Sequence, residues 1–159
     1  GAYGGEMAQV VRSVDCLTAE GALETVTGLG FSYRSSVFSD GRRMILGARL
    51  ELQAGDRADI RARMEELAAR RQSKQPLEYP SAGSMFKRPP GHFAGALIDQ
   101  CGLRGLTVGG AQVSEKHAGF VVNRGGATCA DVLELVDQVR ARVLAQTGVE
   151  LEMEVRVLR

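Results

Sequence analysis

The sequence predicts an α+β protein. Strand-like alternating runs and helix-like runs behind clear caps share the chain, and neither an internal repeat nor a low-complexity segment interrupts them. The closing residues, "VELEMEVRVL", alternate apolar with charged, the period of a strand with one buried face.

In chain order, "VVRSVDCLTAEGALETV" alternates and breaks at Glu20-Gly21, the pattern of a hairpin. "RMILGARLELQ", Arg43 to Gln53, is the next strand, with Ile45, Leu50 and Leu52 as its apolar positions. Asp56 stands where a helix N-cap belongs. Ile60, Met64 and Leu67 follow at helical spacing, and Arg70-Arg71 sit near the C-terminal end, where the helix dipole favours cations. The prolines of "RQSKQPLEYP" stop that helix and mark a domain boundary at 71/72. A second helix runs from His92 to Cys101 and turns Phe93, Leu97, Ile98 and Cys101 to one face, with Gly102 as its stop. "LTVGGAQVS" and "GFVVN" read as short strands around a turn at Glu115-Lys116-His117.

The last helix is the best marked. Thr128 caps it, Asp131 sits three residues on, and Val132, Leu135, Val136, Val139 and Val143 form its apolar stripe up to Gly148. In the closing strand Leu151, Met153, Val155 and Val157 take one face, which leaves Glu150, Glu152, Glu154 and Arg156 on the other.

At 159 residues the chain can bury a core in one or two small domains, and 44% apolar with 25% charged residues marks a globular protein rather than a disordered one. A formal net charge of +1 removes the simple electrostatic argument for nucleic acid or an acidic membrane surface. No apolar run approaches the roughly 20 residues that span a bilayer. Cys16, Cys101 and Cys129 are widely spaced and read as free thiols in a reducing compartment, used as small buried hydrophobes. The opening "GAYGGEM" has no initiator Met and no signal-peptide pattern, and its Gly-rich turn reads as the interior of a longer chain.

"YPSAGSMFKRPPG", Tyr79 to Gly91, reads as a rigid loop that presents one alcohol, Ser84, ahead of two cations, Lys87 and Arg88. Two readings stand side by side. Ser84 is a turn serine bonded to nearby backbone, or a hydroxyl that exchanges a proton beside cations that make it more acidic. Lys87 and Arg88 are solvated loop charges, or they hold phosphate or carboxylate. Without G-x-S-x-G and its strand-to-helix elbow, a hydrolase triad has little support. Tyr33 and Arg34 lie in "FSYRSS", where an arginine has the fork to grip a planar carboxylate but is by default a plain loop charge. Glu154 reads as one charge of a solvated face. His117 has no partners at ligand spacing, so no metal site is expected. "GLRGLTVGG" lacks the order G-x-G-x-x-G and fails as a nicotinamide fingerprint.

Taken together, "GAYGGE", "FSYRSSVF", "KQPLEYPSAGSMFKRP", "AGALIDQCGLRGLTVGGAQVSEKHAGFVVN" and "LEMEVRVL" resemble the UDP-N-acetylenolpyruvoylglucosamine reductases, flavoenzymes of peptidoglycan precursor synthesis. The resemblance runs in order through essentially the whole chain. It is most specific in "SAGSMFKRP" and "GGAQVSEKHAGFVVN", and the compact spacing there is similar to the family variant that lacks an extra substrate-covering tyrosine loop. It implies two parts: the tail of a flavin domain, residues 1–71, then a complete small two-layer α/β substrate-binding domain, residues 72–159. The upstream cradle for the FAD pyrophosphate is expected to be missing, so Gly1, Ala2, Tyr3 and Gly4 are what remains of the cofactor-binding residues.

The family passes a hydride from NADPH to FAD and then to the enolpyruvyl double bond of UDP-N-acetylglucosamine enolpyruvate, a cytoplasmic reaction. The resemblance implies that Arg34 and Glu154, the latter as a protonated donor, stabilise charge developing beside the substrate carboxylate, and that Ser84 delivers the proton. It makes Tyr33, Lys74, Lys87, Arg88 and His117 substrate contacts, with Asn replacing Arg88 in some members. Two other readings stay open: a UDP-sugar-binding module that has lost its flavin, and a nucleic-acid binder using Arg70, Arg71, Lys74, Lys87 and Arg88. With aromatic residues at 5%, the last lacks a stacking platform.

Overall fold

The computed structural model describes residues 2–158, and its internal contacts divide the chain into two units, Gly1–Leu67 and Ala68–Arg159. In the first, a short helix α1 (Met7–Val10) leads into β1 (Val11–Thr18), which turns back as β2 (Leu23–Val26). β3 (Arg43–Leu50) joins the other edge of β1, so the antiparallel order is β2-β1-β3. The expected hairpin is therefore present. A small core gathers around the central strand, with Val11 and Val14 packed on Leu29.

β3 ends at Leu50, short of Gln53, and Ile45, Leu50 and Leu52 are all more than half exposed. It is an edge strand, and among the described residues nothing packs over these apolar side chains. α2 (Arg57–Lys74) starts where expected: the Asp56 carboxylate accepts the N–H groups of Ala58 and Asp59 at 2.8 and 3.1 Å, satisfying two donors that the first turn leaves orphaned. The helix runs to Lys74 and stops ahead of Pro76, the first of the prolines expected to break it. None of its residues is buried, so Ile60 and Met64 have the spacing of a buried stripe without the burial.

The second unit is a four-stranded antiparallel sheet in the order β4-β7-β6-β5, formed by β4 (Ser81–Ser84), β5 (Thr107–Val108), β6 (Ala111–Val113) and β7 (Phe120–Asn123). Helices α3 (Ala94–Gln100) and α4 (Cys129–Thr147) form the other layer, with α4 packed on β5, β6 and α3. α4 follows its sequence closely. The Thr128 hydroxyl accepts from the Asp131 N–H at 3.1 Å while the Asp131 carboxylate accepts from the Thr128 N–H at 2.8 Å, a complete capping box. Leu135, Val136, Val139 and Val143 are buried, Val132 is partly so, and Gly148 closes the helix in a left-handed conformation.

The tip of the β5–β6 hairpin explains "GG" without a nucleotide. A Cβ on Gly110 would lie 2.3 Å from the Gly125 carbonyl oxygen and 2.5 Å from the Ala127 nitrogen, and one on Gly109 would lie 2.4 Å from the Asp131 carboxylate carbon. The hairpin presses onto the loop that starts α4. Only glycine allows that approach.

Four expectations change in this unit. Tyr79 to Gly91 is not all loop, since Ser81–Ser84 pair with β7 as a strand. Phe93 precedes α3 instead of packing under it, and at 61% exposure it carries the Arg88 guanidinium 3.9 Å above its ring. Cys129, the first residue of α4, is exposed rather than buried, whereas Cys16 is buried. The closing segment forms no continuous strand. It lies extended with a single bridge, Phe86 to Met153; Leu151 is buried, Met153 and Val155 are half-buried, and Val157 is exposed. Among the described residues no helix is long and apolar enough to cross a membrane.

Candidate functional site

Ser84 is the last residue of β4 and is exposed. β4 pairs Ser81 with Val122 but Ser84 with Phe120, so one extra residue is accommodated between them, and Gly83 takes the positive φ of 84°. A bulge of this kind re-aims the side chain that follows it. The next residue is tied through both of its backbone polar groups. The Met85 N–H donates to the Gly119 carbonyl at 2.9 Å, and the Met85 carbonyl accepts the Glu154 N–H at 2.9 Å. One buried residue thus joins the three segments that carry Ser84, His117 and Glu154.

Glu154 is half-buried, unlike Glu150, Glu152 and Arg156, which are exposed. The uniformly solvated face expected from alternation is therefore broken at this residue. Lys87 forms an ion pair with Glu152, and its N–H donates to the Glu152 carbonyl at 2.8 Å. Arg88 donates from Nε to the His92 carbonyl at 3.3 Å and stacks on Phe93. Each cation after Ser84 thus has a contact of its own. Lys74 is exposed in the last turn of α2.

His117 sits half-buried in the β6–β7 turn. The Gly119 N–H donates to its Nδ1 at 3.1 Å, which makes Nδ1 the acceptor and leaves the proton on Nε2. Its ring meets that of Phe120 edge-on at 4.9 Å. Burial, aided by the charge of Arg104, holds the imidazole below its ordinary value and favours the neutral form, against a backbone hydrogen bond that acts the other way.

In the first unit, Ser32 and Ser35 exchange backbone hydrogen bonds at 3.0 and 3.1 Å, so Tyr33 and Arg34 form the tip of a tight turn. Arg34 has φ of 54°, a left-handed conformation uncommon outside glycine, and its guanidinium lies 5.3 Å from the Tyr33 ring centroid. The Ala2–Gly5 turn is built alike, with Tyr3 and Gly4 at φ of 51° and 84°. Gly1, the remaining cofactor-binding candidate, lies outside the described residues. Among the described residues no three His, Cys, Asp or Glu side chains gather in a way that could hold a metal ion.

Sequence reasoning passed over Tyr79, Lys116 and Arg124, which line a small cleft of about 220 Å³ beside the His117 turn. Arg124 lies 4.1 Å over the Tyr79 ring, and Lys116 donates to the Gln72 carbonyl at 2.8 Å. No periodic signal links these three residues. They come from three separate places, the segment before β4, the β6–β7 turn and the residue after β7.

The two-layer α/β unit, with the Ser84, His117 and Glu154 segments joined through the backbone of Met85, matches the C-terminal domain of a reductase family. Residues 75–158 match the domain described as "UDP-N-acetylenolpyruvoylglucosamine reductase, C-terminal domain", and the chain belongs to that family. It is 52% identical over 160 residues to the UDP-N-acetylenolpyruvoylglucosamine reductase of Pediococcus pentosaceus, a match covering 99% of this chain and 53% of the relative. The enzyme of that name from Agathobacter rectalis is 54% identical over 160 residues, covering 99% and 51% respectively. The crystal structure of UDP-N-acetylenolpyruvylglucosamine reductase from Thermus caldophilus superposes with a TM-score of 0.80 at 40% identity, covering 97% of this chain and 56% of that one. The chain spans about half the length of the relatives it matches.

Proposed function

We propose that this chain supplies the substrate-binding and proton-donating part of an NADPH- and FAD-dependent UDP-N-acetylmuramate dehydrogenase. The enzyme would reduce the enolpyruvyl group of UDP-N-acetylglucosamine enolpyruvate in the cytoplasm, for peptidoglycan precursor synthesis. The observation that supports this reading is the backbone of Met85, next to Ser84, whose N–H donates to the Gly119 carbonyl and whose carbonyl accepts the Glu154 N–H, bonding the Ser84 segment to those that bear His117 and Glu154.

FAD supplies the hydride when bound. The residues present fit a part of it. At the Ala2–Gly5 turn, which carries Ala2, Tyr3 and Gly4, a Cβ on Gly4 would meet nothing within 4 Å, so the backbone at Gly4 is open to the approach of a cofactor edge. The chain's own groups do the rest. The Ser84 hydroxyl gives its proton to the substrate carbon next to the carboxylate. Glu154, as a donor, and Arg34 oppose the negative charge that develops there. Lys87 spends one of its three N–H donors on Glu152 and keeps two for the substrate's phosphates or the field at Ser84. Tyr33, Lys74, Arg88 and His117, with its Nε2–H, complete the substrate contacts.

Stopped-flow measurement of the two half-reactions in the full-length reductase carrying this sequence tests the assignment. Ser84→Ala should leave flavin reduction by NADPH nearly unchanged and slow substrate reduction by about 10²- to 10⁴-fold, the usual worth of a positioned general acid. Equal slowing of both half-reactions would make Ser84 a structural turn residue.

A further inference from the structure

The Glu115–His117 turn is held from more sides than a surface turn requires. From below, the buried Ser114 hydroxyl accepts the N–H groups of Lys116 and His117, each at 3.2 Å. On one flank Lys116 donates to the Gln72 carbonyl, which ties the turn to the last turn of α2. On the other flank stands Arg104. Its Nη1 donates to the Glu115 carbonyl at 2.5 Å, and its Nε and Nη2 form a two-point contact with the Asp99 carboxylate at 2.5 and 3.0 Å. A two-point Arg–carboxylate contact fixes the plane of the guanidinium, so the Nη1 donor that reaches Glu115 is aimed and not merely present. The Glu115 carboxylate lies close over Gly105, where a Cβ would come within 2.2 Å of it.

We propose that Asp99 and Arg104 are positioning residues for His117, holding its turn so that Nε2–H is presented to an anionic group of the substrate. The claim rests on the reading of His117 as a substrate contact and names what holds that contact in place. Among the described residues, the charged groups on the elements that hold the imidazole are Asp99 at the end of α3, Arg104 in the segment after it, and Glu115 and Lys116 on the turn itself; at the ring α3 brings Gly95 and β7 brings Phe120. Arg104 therefore acts on His117 in two ways, by anchoring its turn and by opposing its protonation.

The two members of the pair predict shifts of opposite sign, which loosening of the fold cannot imitate. The experiment is an NMR titration of the His117 ring in the full-length protein, with the signal assigned by its loss in His117→Gln. Arg104→Met should move the titration upward, because a cation is removed and the turn is freed to take water. Asp99→Asn should move it downward, because the Arg104 charge is no longer balanced. Arg104→Lys should fall between native and Arg104→Met, since it keeps the charge and loses the two-point contact. Calorimetry with UDP as probe should show Kd raised about tenfold in Arg104→Met, the worth of one hydrogen bond put out of place. Thermal melts confirm that each variant is folded. Shifts of the same sign in Arg104→Met and Asp99→Asn, or no shift in either, overturn the proposal. If His117→Gln leaves UDP binding unchanged, the role of His117 toward substrate falls, while the titration still decides whether Asp99 and Arg104 position it.

Discussion

Replacing Gly110 with alanine adds one methyl group where the structure has no space for it. The new carbon would lie 2.3 Å from the Gly125 carbonyl oxygen and 2.5 Å from the Ala127 nitrogen, both backbone atoms that cannot swing aside as a side-chain tip would. Relief requires the β5–β6 hairpin to lift from the loop that leads into the Thr128 cap. Overpacking of a filled interior costs about 1–3 kcal/mol, and contact with backbone puts this site near 3. Gly102 is the control. A Cβ there meets nothing within 4 Å, but its φ of 66° is left-handed, so alanine costs only the backbone term of about 1 kcal/mol. In a unit spanning residues 68–159, each kcal/mol lowers Tm by about 4–8 °C. Thermal unfolding followed by circular dichroism should therefore give losses of roughly 12–24 °C for Gly110→Ala and roughly 4–8 °C for Gly102→Ala. Equal losses would mean that the glycine pair serves turn geometry, and the close approach to the α4 loop would not be what holds the hairpin.

Other expectations follow from α4 and from His117. Leu135, fully buried, should cost about 2–5 kcal/mol on replacement by alanine in urea unfolding, while Leu144→Ala on the 48% exposed side of the same helix should stay within about 0.5 kcal/mol. Thr128→Ala removes one half of the capping box and should cost about 1 kcal/mol by the same measurement. The His117 imidazole is held below its ordinary 6.5, so the unfolded chain binds a proton there more readily than the folded one. Stability should then rise with pH through the window just below 6.5 and level off above it, and His117→Gln should flatten that rise in melts taken from pH 5 to about 8.

The parts of the fold that were legible in sequence are those whose signals are local. Thr128 and Asp131 lie three residues apart and complete each other's hydrogen bonds, so the start of α4 needed nothing from elsewhere in the chain. The closing segment shows the opposite case. Its alternation is regular, but a strand also needs a partner that can sustain a ladder. Here Lys87 and Met85 supply bonds to Glu152 and Glu154, and the partner then runs into Pro89-Pro90, which has no N–H to continue. α2 was legible as a helix because spacing is intrinsic, whereas its burial depends on neighbours that spacing does not reveal.

The site divides in the same way. Residue patterns left two readings of Ser84, turn serine or proton donor, and read Glu154 as a solvated charge, which only the family resemblance raised to a candidate. The structure adds that the backbone of Met85, next to Ser84, bonds to Glu154 and so ties their segments together. Arg104 gave no signal, because its partners lie at Asp99, across the Gly102 stop, and at the carbonyl of Glu115, and a backbone acceptor has no sequence signature.

Arg34 sits in a backbone conformation that glycine or asparagine would occupy at less cost. The role proposed for Arg34 therefore sets chemistry against folding at this one position. A library screened for expression or heat resistance would enrich small residues there, and one screened for the proposed reduction would retain arginine. Engineering that ranks substitutions by stability alone would remove the very side chain the turn is built to display.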